Sequence, residues 1–152
     1  MKYNIRKLQG ILQKTRKSGK KIALCHGCFD GLHDGHIKLF QKAKNKADMV
    51  IVGIENDEYV RTIKGSNRPF YGLCDRIEAV VKTGLVDYVF VIPKGNSRIY
   101  KKLYLDLKPD CLVTAVDEIF RKKKKDAMSA NIKLILIKEK DYHSRNKIHK
   151  GK

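Results

Sequence analysis

Residues 21–54 read KIALCHGCFDGLHDGHIKLFQKAKNKADMVIVGI, and this stretch decides the fold. Ile22-Ala23-Leu24 form a short apolar run, as a buried strand requires. Gly27, Gly31 and Gly35 then place three glycines within nine residues, the mark of a loop whose backbone comes close to something else. Beyond Gly35, the residues Ile37, Leu39, Phe40 and Ala43 share one face at helical spacing, so a helix is expected to about Asn45. Met49 to Ile54 is apolar on both faces, the pattern of a parallel strand covered on both sides. The unit is strand, glycine-rich loop, helix, strand.

Working outward, the same alternation continues. Ile5, Leu8, Ile11 and Leu12 predict a helix over 3–18, within an N-terminal segment 1–20 closed by Ser18-Gly19. Residues 61–71 read as a basic, polar loop, and 72–82 as a helix burying Leu73, Ile77, Val80 and Val81. Strands are expected at 87–92, 111–114 and 132–137, and helices at 97–105 and 118–129, the last carrying the run RKKKK. Residues 140–152 are a polar, basic tail. Strictly alternating strands and helices predict an α/β chain with a Rossmann-like, doubly wound, parallel five-stranded sheet, in a single domain over 1–152. Such sheets bind ligands beyond the carboxyl ends of their strands, at the switch point, which directs attention to the loop after the first strand.

Composition narrows the function classes. The chain has 152 residues, 42% hydrophobic and 33% charged, which excludes a disordered chain. No apolar run approaches the roughly 20 residues that span a bilayer, and MKYNIRKLQG lacks the apolar core of a signal peptide, so a cytoplasmic protein is expected. The formal charge of +18 points to a polyanionic partner: nucleic acid, nucleotide phosphates or an acidic membrane surface. Residues 22–120 hold 14 basic and 13 acidic side chains, whereas 1–21 hold 8 and none, and 121–152 hold 12 and 3. The middle is thus nearly neutral and the two ends carry the excess, and Lys122 to Lys125 are expected to form a solvated helix face. Cys25 and Cys28 form a C-x-x-C without a second close pair, so no metal site is expected and a thiol redox pair is the weaker alternative to two buried thiols.

The chemistry concentrates in the loop. His33 and His36 straddle a helix start, where free backbone N–H groups and the positive dipole end face the same space. Two imidazoles there make a site for phosphate oxygens and for charge building on phosphorus. Asp30 either orders the loop or approaches a metal ion. Arg68 and Arg76 either bind phosphate or pair with neighbouring acids.

Gly27-Cys28-Phe29-Asp30 followed by His33-x-Gly35-His36 resembles the signature of the cytidylyltransferase-like nucleotidyltransferases. Lys64-Gly65-Ser66-Asn67-Arg68-Pro69, Asp75-Arg76, Leu107 to Asp110 with Asp117, and Ser144 to Ile148 resemble its later motifs in order. The K-G-x-x-R-P segment is similar to that of the adenylyltransferase domain of ADP-heptose synthase; glycerol-3-phosphate cytidylyltransferase and archaeal-type FAD synthase are near alternatives. The resemblance implies transfer of AMP or CMP from ATP or CTP to a phosphorylated sugar or polyol, with release of pyrophosphate and with Mg²⁺ accompanying the triphosphate. It assigns catalysis to His33, His36 and Lys64. Nucleotide and phosphate binding fall to Gly27, Cys28, Phe29, Asp30, Gly35, Arg68, Arg76, Asp117, Ser144 and Arg145. Relatives of this type are often homodimers. Two segments depart from the pattern: Arg145-Asn146 replace hydroxyl residues, and Ala115-Val116 replace glycines. A competing reading of another class is a catalytically degenerate protein that binds nucleotide or RNA.

Overall fold

The computed structural model describes residues 2–138, so Ser144 and Arg145 lie outside the described residues. Its elements are β1 (Lys2–Tyr3), α1 (Ile5–Lys17), β2 (Ile22–Gly27), α2 (Asp34–Lys46), β3 (Met49–Glu55) and α3 (Asp57–Lys64). There follow α4 (Leu73–Lys82), β4 (Tyr88–Ile92), α5 (Ile99–Leu107), β5 (Cys111–Thr114), α6 (Phe120–Ser129) and β6 (Lys133–Leu136). The strands form one parallel sheet in the order β1-β4-β3-β2-β5-β6. The five expected strands are β2 to β6. A two-residue edge strand, β1, adds to them by pairing Tyr3 with Phe90, and it is too short to show any periodicity in sequence.

Helices cover both faces. On one, α1, α5 and α6 bury Leu8, Leu12, Leu103, Leu107 and Ala127 against Ile22, Leu24 and Ile51. On the other, α2 and α4 bury Leu39, Phe40, Ile77 and Val80 against Ala23, Cys25, Val50 and Val52. Successive strand residues therefore serve opposite cores, which is why β2 and β3 are apolar throughout. Each fully buried Leu or Ile contributes about 1.5–3 kcal/mol. Gly53 in β3 is required by packing, since a Cβ there would come within 2.7 Å of the Phe90 ring. The Pro109-Asp110 turn also shapes the sheet. The Asp110 carboxylate accepts from Ile22 N at 2.7 Å and so sets the start of β2 beside β5.

The segment expected as a loop over 61–71 begins inside a helix. Asn56 caps α3 by accepting from Tyr59 N at 2.9 Å, Asp57 and Glu58 occupy its first turn, and Lys64 is its last residue. Tyr59, Val60 and Ile63 share its inward face, but at eight residues the helix shows this stripe over barely two turns, and its last four residues run into the basic, polar segment. The capping signal, Asn followed by two acids, is present in the sequence.

Candidate active site

The strand order reverses about β2, which has β3 on one side and β5 on the other. At this switch point the loops after β2 and β5 part, leaving a cleft of about 930 Å³. Gly27, Cys28, Phe29, Asp30, His33, His36, Lys64, Arg68, Arg76 and Asp117 all line it. Gly35 does not; it is buried in the first turn of α2.

The two histidines cap α2 reciprocally. His33 Nδ1 accepts from Gly35 N at 2.9 Å, and His36 Nδ1 accepts from His33 N at 3.2 Å. With both Nδ1 atoms accepting, the hydrogen-bond pattern assigns the neutral rings as Nε2–H tautomers. Their centroids lie 4.0 Å apart, and Phe29 sets its ring against His36 at 5.4 Å. Burial, reinforced by His33, Lys64 and Lys123, pushes the His36 imidazole down to about 3. His36 therefore acts at neutral pH as a hydrogen-bond donor and not as a cation. The loop reaches this geometry through left-handed backbone at Phe29 (φ 51°) and Gly31 (φ 91°).

Asp30 organises the wall beside α4. Its carboxylate accepts from Arg68 Nε at 2.7 Å, Phe70 N at 2.8 Å and Tyr71 N at 2.9 Å. Burial works to raise its pKa, but these hydrogen bonds outweigh it and hold the carboxyl below its ordinary value. Asp30 therefore orders this loop, with Oδ2 accepting twice and Oδ1 once. Arg68 also stacks over the Phe70 ring at 4.2 Å.

Arg76 pairs with an acid, one of the two roles open to it in sequence. It is buried, and its donors reach Tyr71 O (3.0 Å), Cys28 O and Glu55 O (both 2.8 Å) and the Asp57 carboxylate (2.5 Å). The guanidinium is thus a strut joining the end of β3, the β2–α2 loop and the 68–71 loop. Glu55, at the end of β3, is also buried and bonded to the Tyr100 hydroxyl; burial raises its carboxyl to about 7 against that bond and the nearby Lys123 and Lys122.

The wall beside α6 contains the principal residue missed in sequence. Lys123 is not on a solvated face. It is 1% exposed and donates to His26 O (2.8 Å), Asp117 Oδ2 (2.9 Å) and Thr114 Oγ1 (3.2 Å). Asp117 Oδ1 also accepts from Ile119 N at 3.1 Å. A signal existed: Lys123 stands four residues after Ile119 and four before Ala127, both buried, so it lies on the inward stripe of α6. Val116, at one of the positions where the pattern has glycine, lines the cleft with its side chain 52% exposed. Lys64 spans the mouth, pairing with Glu118 at 2.7 Å.

The thiols argue against redox chemistry. Burial pushes both Cys25 and Cys28 up to about 12, the opposite of the low-pKa thiolate such a pair uses. Among the described residues no cluster of three His, Cys, Asp or Glu is placed to hold a metal ion. No helix among them is long and apolar enough to cross a membrane.

A switch-point cleft under a histidine-capped helix defines the nucleotidyltransferase class. Similarity to known proteins agrees, for residues 24–149 match the cytidylyltransferase-like family model, and the chain belongs to that family. It is 36% identical over 114 residues to the bifunctional protein HldE of Geobacter metallireducens, covering 75% of this chain and 23% of that protein. The Campylobacter fetus HldE is 36% identical over 124 residues (82% and 26%), and the Helicobacter pylori HldE 33% over 132 (87% and 28%). The chain thus spans roughly a quarter of the length of these relatives. Solved structures share the fold. A lipopolysaccharide core biosynthesis protein from Thermoplasma volcanium GSS1 has a TM-score of 0.63 at 22% identity, covering 79% of this chain and 98% of that one. Pantoate-beta-alanine ligase from Francisella tularensis has a TM-score of 0.63 at 21% identity, covering 88% and 64%.

Proposed function

We propose that this chain transfers AMP or CMP from ATP or CTP to a phosphorylated sugar or polyol. The single observation that carries the reading is the reciprocal cap of His33 and His36, which lines the cleft with two neutral imidazoles at the positive end of α2. An oxygen of the acceptor's phosphate bonds to the α-phosphorus, the bond from that phosphorus to the bridging oxygen of the β-phosphate breaks, and pyrophosphate leaves. A phosphate monoester is largely a dianion at neutral pH, so the attacking oxygen needs no general base. The requirement is alignment and charge stabilisation, which neutral Nε2–H donors and the α2 dipole supply.

Lys64 exchanges Glu118 for the leaving phosphates, and Asp117, held by Lys123, faces the ribose. Mg²⁺ would arrive with the triphosphate; Asp30, whose Oδ2 accepts two hydrogen bonds and whose Oδ1 accepts one, keeps capacity at Oδ1 to approach it. The similarity to the HldE proteins favours ATP and a sugar phosphate within this class.

Pyrophosphate release tests the reading. ATP and CTP, each paired with sugar and polyol phosphates, should yield it with at least one combination. His36→Ala should lower kcat by about 10²–10³-fold, the usual effect of removing one transition-state donor. Release unchanged in that variant, or no release with any combination, overturns the proposal.

A further inference from the structure

The two helical layers differ sharply in charge. α1, α5 and α6 together carry twelve Lys and Arg against two acids, Asp106 and Asp126; α2 and α4 carry six against three. Neither acid of the first layer balances it. Asp126 is buried, and Asp106 is already bonded to Lys102 at 2.8 Å. Lys123 is buried, Lys122 lies over the Tyr100 ring and Arg16 is half-buried; Lys14, Lys17, Arg121, Lys124 and Lys125 are exposed. Arg16 of α1 donates to Leu107 O at the end of α5 at 2.9 Å, tying these two helices together. Like charges concentrated on one face repel, and an external polyanion would relieve that repulsion.

The layer's other surface features select among polyanions. Leu105 on α5 and Met128 on α6 are 49% and 69% exposed, large apolar side chains among the lysines. Aromatic side chains, on which nucleic-acid bases stack, are not exposed there: Tyr100 and Tyr104 are buried and Phe120 is half-buried. Lysines surrounding apolar side chains match the headgroup region of an anionic bilayer, where the charges meet lipid phosphates and the apolar groups enter the acyl boundary. The cleft opens at the carboxyl ends of the strands, not through the outer face of this layer, so a chain lying on this face keeps its cleft accessible.

We propose that the α1–α5–α6 layer docks the protein peripherally on an anionic lipid surface. Flotation with vesicles tests this, using phosphatidylcholine alone or with about one third phosphatidylglycerol. Binding is expected only to the anionic vesicles in about 0.1 M salt, falling at least about tenfold by about 0.5 M as the charges are screened. Lys124→Glu with Lys125→Glu should weaken binding by at least about twentyfold. The matched pair Lys44→Glu with Lys46→Glu, on α2, removes the same net charge from the opposite layer and should change binding less than about threefold. Circular dichroism confirms that both variants fold, and neither should alter pyrophosphate release, so the lipid and transfer proposals stand or fall separately. The docking proposal is overturned by absence of binding to anionic vesicles, by equal loss from the two pairs, or by tighter binding of random-sequence RNA than of vesicles at the same salt.

Discussion

One wall of the cleft is organised around a buried carboxylate, and the other around a buried ammonium. On the α4 side, Asp30 gathers Arg68 and the backbone of Phe70 and Tyr71, while Arg76 braces the same loop from beneath. On the α6 side, Lys123 gathers His26 O, Thr114 and Asp117 at the ends of β2 and β5. The difference follows from what each wall presents. An irregular loop has backbone N–H groups in need of acceptors, and a carboxylate supplies them. Strand ends have carbonyls in need of donors, and an ammonium or guanidinium supplies those.

Removing the strut should have the largest effect on this contrast. Arg76→Met leaves the carbonyls of Cys28, Glu55 and Tyr71 and the Asp57 carboxylate without their donor. A loss of about 3–5 kcal/mol is expected in urea unfolding. A change below about 1 kcal/mol would mean that the α4 wall does not depend on its guanidinium.

Lys123→Met should follow, at about 2–3 kcal/mol, because Asp117 is partly exposed and regains water while the His26 carbonyl does not. The same variant should raise the nucleotide KM more than it lowers kcat, since it releases Asp117 and leaves His33 and His36 in place. An equal effect on both parameters would show that the two walls are not separable.

Asp30→Asn is expected to be milder, at about 1–2 kcal/mol, because the amide keeps the shape and one acceptor. Its sharper signature is in pH dependence. The folded-state pKa of Asp30 lies below its ordinary value, so the unfolded chain binds the proton more readily. The stabilisation is present above the unfolded pKa, near 4, and is lost as pH falls through the folded one. Acid unfolding followed by circular dichroism should show a shallower decline below about pH 4 in Asp30→Asn than in the parent. Identical acid limbs would remove Asp30 from the account of the wall.

How much of this was legible in sequence depended on the range of the interaction. The β2-loop-α2 unit could be read because its signals are local: apolar runs, three glycines, and His33 and His36 three residues apart. Helix α3 escaped because it is only eight residues long, so its stripe of Tyr59, Val60 and Ile63 spans barely two turns before the polar run that follows. Arg76 and Lys123 stood in view as motif and charge run, but their partners come from segments 5 to 97 residues away. No local pattern says which carbonyls a long side chain will reach.

By itself the sequence determined the alternating elements, the parallel sheet and the address of the cleft, because periods of 2 and 3.6 and glycine spacing are properties of neighbouring residues. Only the tertiary structure decided which cations pair across the mouth of the cleft and which are struts. Lys64 reaches across the mouth, while Arg76 and Lys123 turn into the walls. The physical reason is that a buried charge is stable only where several distant groups converge on it, and that convergence exists only once the strands have assembled.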